Sequence, residues 1–133
     1  MAGTRQASKV AGLVLHVLIG GLMIFAGSGK LFGFAPPQIV ESMRNYGLGD
    51  KLPLIGGGEL LAALLLLIPV TSSLGVLLTS AFWGGVICIH MAHGEPYLFP
   101  SVLLALTWVG GTLREPATLV SFRRARSAES PAG

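Results

Sequence analysis

Four side chains in this 133-residue sequence have types and surroundings suited to chemistry: Lys30, Glu59, His90 and Trp83. The three ionisable ones lie in or at the ends of apolar runs. An ionised group at the centre of a bilayer costs about 2.5–3.5 kcal/mol on insertion scales, so each must face a protein interior and find a partner there. A lysine, a carboxylate, an imidazole and an indole N–H brought together would make a site for a ligand head group. Glu59 or His90 would accept or donate its proton. The same lysine and glutamate could equally form an ion pair whose only role is to fix helix register. Proton relay or transport is a third reading.

Other reactive types lead less far. His16 stands alone in its run and reads as a hydrogen-bonded core or interface histidine. His90 and His93 are three residues apart and with Glu59 would give two imidazoles and one carboxylate. His93 falls where its helix should end, so no metal site is assigned. Cys88 is the only cysteine, which leaves no disulfide chemistry within the chain. Gly56-Gly57-Gly58 precedes Glu59 and lacks the lysine of a phosphate loop. A haem held between His16 and His90 is opposed by their opposite depths. With no nucleophile elbow either, the sequence leaves an enzymatic role open and favours none for the chain on its own.

The elements that must carry these residues follow from composition. Hydrophobic residues make up 52% of the chain and charged residues 11%, against roughly 25% charged in a soluble domain. Nine Lys and Arg and six Asp and Glu cannot cover a soluble protein of this size. The mean hydropathy of +0.72 agrees. The pI near 9.5 does not indicate nucleic-acid binding, because the basic residues cluster at the chain ends and form no stripe. The expected solvent is lipid.

A helix needs about 20 apolar residues to cross a bilayer. Val10 to Gly29, bounded by Lys9 and Lys30, is the first span. It is longer than the 7–15-residue apolar region usual in a signal peptide, despite Arg5, Lys9 and the small residues Ala26-Gly27-Ser28. The run from Leu60 to Gly94 is too long for one helix, and Pro69-Val70-Thr71-Ser72-Ser73 divides it. The spacing predicts an all-α, integral membrane four-helix bundle with spans at about 10–31, 53–69, 73–92 and 97–113. Residues 1–9 form an N-terminal tail, 10–116 the membrane domain and 117–133 a basic tail. A short amphipathic helix is expected in the first loop, between Gln38 and Tyr46, resting at the interface or forming a lid over a cavity.

Four spans put both termini on one side. That side carries Arg5, Lys9, Arg114, Arg123, Arg124 and Arg126, which places the termini in the cytoplasm by the positive-inside tendency. Lys30, Glu59 and His90 then fall in the outer half of the bundle, with Glu59 roughly 9 Å from the start of its span. The helix faces agree. His16, Gly20, Met23, Gly27 and Lys30 recur at helical spacing, as do Gly56, Glu59, Ala62, Ala63 and Leu66, and Thr79, Trp83, Val86 and His90. Small residues beside polar ones let helices approach closely.

Gly27-Ser28-Gly29-Lys30-Leu31-Phe32, Gly58-Glu59-Leu60, Leu67-Ile68-Pro69 and His90 together resemble the DoxX-like family, over roughly Leu13 to Gly111. The resemblance implies a compact bundle of four membrane spans, with Lys30, Glu59 and His90 matching the family's polar pattern. Founding members of that family are associated with membrane redox enzymes, including a thiosulfate:quinone oxidoreductase and bacterial oxidative-stress complexes. A related animal branch acts as an assembly chaperone for acetylcholine receptors, so fold is implied more firmly than function. The resulting expectation is an accessory or anchor subunit of a quinone-linked redox system in a bacterial cytoplasmic membrane, with a quinone or lipid-like ligand. The alternative is a non-catalytic assembly protein or structural subunit. Expected partners are the lipid bilayer and a membrane protein or a second copy, and not nucleic acid.

Overall fold

The computed structural model describes residues 1–117, and every regular element among them is helical. Five α-helices follow in order: α1 (Ala2–Phe32), α2 (Pro37–Asn45), α3 (Leu52–Leu67), α4 (Ser72–Ala92) and α5 (Leu98–Arg114). Single 3-10 turns at Gly49–Lys51 and Pro69–Thr71 lead into α3 and α4. The part of the expected basic tail from residue 118 onward lies outside the described residues.

The breaks are local chemistry. Gly33, at φ 84°, ends α1 by sending its N–H back to Gly29 O. Ile68 takes an extended conformation ahead of Pro69, as a residue before proline must, and α3 stops there. One boundary differs from expectation. Residues 2–9, read as a tail, form the first two turns of α1, which runs unbroken for 31 residues. Ala2, Arg5, Gln6, Ala7 and Lys9 are good helix formers, and apolar length marks a span without marking where its helix begins.

The four long helices form a closed ring in which α1 packs on α3 and α5, and α4 packs on the same two. Register is set by close crossings of small residues. A Cβ built on Gly56 would lie 2.6 Å from Gly27 O, and one on Gly12 would lie 2.7 Å from Gly110 O. Only glycine permits backbones this near. The apolar core is small: Ile19, Met23, Ala62, Ala63, Leu66, Val76, Trp83 and Leu103.

Polarity is distributed the reverse of a soluble bundle's. His16, Glu59, Thr79 and Thr107 are buried, while Leu18, Phe25, Leu61, Leu64, Leu77, Phe99 and Val109 are exposed. Two helical stretches, Ala2–Phe32 and Pro69–Ala92, are long and apolar enough to cross a membrane. α5 is apolar but has 17 residues, and α3 has 16 with Glu59 inside it.

Candidate functional site

The first polar centre joins α1 to α3. Lys30 Nζ donates to Glu59 Oε2 over 2.5 Å, with the two side chains 9% and 2% exposed. The crossing of Gly27 on Gly56 makes this distance possible. A Cβ on Gly56 would also lie 2.7 Å from Lys30 Cβ, and one on Gly27 would lie 3.3 Å from Glu59 Cβ. Larger residues at either position would hold the charged stems apart.

α4 closes the centre with aromatic rings. Lys30 Nζ lies 5.8 Å from the ring centroid of Phe82, within cation–π range. Phe82 in turn meets Trp83 edge to face, with centroids 5.2 Å apart and planes at 80°. Trp83 is buried, and its indole N–H has no acceptor among the described residues. Thr79 Oγ1, one turn earlier, and Ser80 Oγ are likewise buried without partners. An indole N–H can only donate, so this wall of the bundle presents a donor that nothing among the described residues satisfies.

His90 is held elsewhere. It sits in the last turn of α4, and its Nδ1 donates to Pro96 O over 2.7 Å, across the turn to α5. His93 Nδ1 donates to Ile89 O over 2.9 Å. Both imidazoles face Tyr46, with ring centroids at 6.4 Å and 4.7 Å. The Tyr46 phenol donates to the Glu95 carboxylate. That hydrogen bond, with partial burial and the carboxylate's charge, pushes the phenol's pKa up to about 12. The structure therefore unites Lys30 and Glu59, reaches Trp83 through Phe82, and gives His90 to a clasp between the first loop and the α4–α5 turn. Among the described residues no three His, Cys, Asp or Glu side chains are grouped as metal ligands.

The second polar centre joins α1, α3 and α5. His16 is fully buried, and its Nε2 donates to Thr107 O over 2.9 Å. Arg114 Nη1 donates to His16 Nδ1 and to Leu66 O, each over 2.8 Å. A carbonyl on one side and a guanidinium on the other fix the neutral imidazole with its proton on Nε2. Leu66 O belongs to the last turn of α3, where carbonyls lack helical partners, so Arg114 also caps that helix.

Phe82, Tyr46 and Arg114 escape the sequence reading. Arg114 alone left a signal, because at helical spacing it continues the buried stripe of Leu103, Thr107 and Gly110 on α5. Tyr46 and Glu95 lie in turns 49 residues apart, where no period relates them.

No characterised protein and no solved structure is significantly similar to the chain. A family model does match it, over residues 14–110, which takes in both polar centres except Arg114. That range covers more than half of the 133 residues, and the chain belongs to the DoxX-like family.

Proposed function

We propose that the chain is an integral membrane protein in which α1, α3, α4 and α5 each cross the bilayer, and that it serves as an accessory or anchor subunit of a quinone-linked redox system. A bundle with leucine, phenylalanine and valine outside and histidine, glutamate and threonine inside suits a lipid solvent. α3, at about 24 Å, is shorter than a hydrocarbon core of about 30 Å. Its flanking 3-10 turns and modest local thinning of the bilayer accommodate the difference. The termini are assigned to the cytoplasm because Arg5, Lys9 and Arg114 gather at their end of the bundle.

Two observations support the ligand: the enclosed Lys30–Glu59 pair, and the unsatisfied Trp83 indole that Phe82 links to it. The pair is neutral as a unit, so it suits an uncharged head group. A carbonyl oxygen would accept from the indole, and Glu59, freed from Lys30, would exchange a proton with it. His90 holds Pro96 O through Nδ1, which leaves Nε2 as the atom it could offer a ligand.

Mass spectrometry of proteins and small molecules together, on the chain purified gently from its native membrane, tests this reading. A quinone retained by the wild type and lost in Glu59→Gln supports it. One observation favours the alternative of an assembly or structural subunit: Lys30 and Glu59 satisfy each other across a close helix crossing. A stoichiometric membrane partner carrying no small ligand, unaffected by Glu59→Gln, would establish that alternative.

A further inference from the structure

We propose that Arg114, with Lys9 and Arg5 of α1, binds a phosphate group, supplied by an anionic phospholipid at that end of the bundle. Arg114 carries a full charge held only by neutral acceptors. Both protons of its Nη1 are committed, one to His16 Nδ1 and one to Leu66 O. The ion pairs among the described residues are Lys30–Glu59 and Lys51–Asp50, so no carboxylate of those residues lies within 4.0 Å of the guanidinium. Its Nε and Nη2 have no hydrogen-bond partner there, and neither is enclosed. Three N–H donors in a fixed planar fork therefore stand open, the arrangement that holds a phosphate through two oxygens at once.

Two more cations are carried to the same place. Arg5, Lys9, Gly12 and His16 lie along one stripe of α1 at helical spacing. Gly12 rests on Arg114, since a Cβ there would lie 2.9 Å from Arg114 Cγ. Ser8 Oγ donates to Leu113 O at 3.5 Å, which ties the start of α1 to the last turn of α5. Lys9 and Arg5 thus continue the stripe one and two turns beyond Gly12, toward the same end of the bundle, and both are exposed with no ion pair among the described residues. Glu115, the acid next in sequence to Arg114, is exposed and pairs with none of them. The other end of the bundle differs, because there Glu41, Asp50, Glu59 and Glu95 offset Lys30, Arg44 and Lys51.

An unpaired cation at the rim of an apolar bundle attracts an oxyanion, and phospholipid phosphates lie in the plane where the apolar surface ends. The lipid as source rests on the membrane reading above, whereas the phosphate chemistry does not.

The test is native mass spectrometry of the full chain in detergent, offered phosphatidylglycerol, phosphatidylcholine or inorganic phosphate. The wild type should retain phosphatidylglycerol over phosphatidylcholine, and excess inorganic phosphate should not displace it. Loss of one basic residue should lower retention about fivefold. Arg114→Lys, which keeps the charge and loses the fork, tests the guanidinium geometry. Arg114→Gln tests the charge. Because Arg114 also caps α3, the double variant Arg5→Gln/Lys9→Gln supplies an arm that leaves the fold's hydrogen bonds intact, and it should lose phosphatidylglycerol in the same way. Equal retention of both lipids, or undiminished retention in the double variant, overturns the proposal. Binding of inorganic phosphate without phosphatidylglycerol overturns the lipid source and leaves a soluble phosphate site.

Discussion

His16 and Lys30 lie on one stripe of α1 yet serve opposite ends of the bundle, His16 bonded to α5 and Lys30 to α3. Fourteen residues separate them, about 21 Å along the helix axis. Each sits beside a glycine crossing, Gly12 on Gly110 for His16 and Gly27 on Gly56 for Lys30. α1 is therefore the post to which two neighbours are fastened, and each fastening needs a polar pair and a missing side chain together.

The lower fastening makes a spectroscopic prediction. Thr107 O can only accept and the Arg114 guanidinium can only donate, so the His16 proton should reside on Nε2. Nitrogen NMR of selectively labelled histidine should show this tautomer for His16 in the wild type at neutral pH. Arg114→Leu should release the preference, and the amides in the last turn of α3 should exchange faster once Leu66 O loses its donor.

The upper fastening predicts strong non-additivity. Glu59→Leu leaves the Lys30 ammonium buried and unpaired, and removing one partner of a buried pair costs about 3–5 kcal/mol. Lys30→Met should cost a similar amount by stranding the carboxylate. The double variant Lys30→Met/Glu59→Leu should recover most of the loss, because an apolar pair of similar volume carries no desolvation penalty. A double-mutant cycle measured by unfolding in detergent decides this. Additive losses would show that the two charges do not depend on each other.

Glycines two residues apart, on opposite faces of α3, should behave oppositely. A Cβ on Gly56 would sit 2.7 Å from Leu31 N and from Lys30 Cβ, whereas one on Gly58 would meet nothing within 4 Å. Gly56→Ala should force α1 and α3 apart and destabilise by about 1–3 kcal/mol. Gly58→Ala should be neutral or stabilising by up to about 1 kcal/mol, from helix propensity alone. Thermal unfolding of the two variants side by side measures the difference.

What the sequence revealed and what it hid follow one physical line. Gly56, Glu59, Ala62, Ala63 and Leu66 were legible as a face, and they are the buried residues of α3. Helical period and the cost of buried charge both pointed to that face, and Lys30 lay at the matching depth. His90 had the right depth, but α4 ends two residues later, and a carbonyl six residues on took its Nδ1. Side chains in a last helical turn answer to the following turn, whose path no periodicity describes. Arg114 looked like a polar stop signal because hydropathy weighs a charge by position along the chain. Its buried stripe through Thr107 and Gly110 is visible only when the residue is read by face.

The clasp between the first loop and the α4–α5 turn should loosen in alkali. Tyr46 donates to Glu95, and this bond raises the phenol's pKa from 10.0 to about 12. A group whose pKa is raised by folding favours the protonated native state. Its contribution is complete below pH 10 and is lost as pH rises through about 12. Ionised tyrosinate would then face the Glu95 carboxylate with like charge and no proton to donate. In a Tyr97→Phe background, where Tyr46 is the remaining tyrosine, ultraviolet absorbance should report its ionisation near pH 12 rather than pH 10. Hydrogen exchange in residues 37–48 should rise across the same interval. Tyr46→Phe should show fast exchange already at neutral pH and no further alkaline step. An unchanged loop in that variant would mean that the ring contacts with His90 and His93 hold the segment without the hydroxyl.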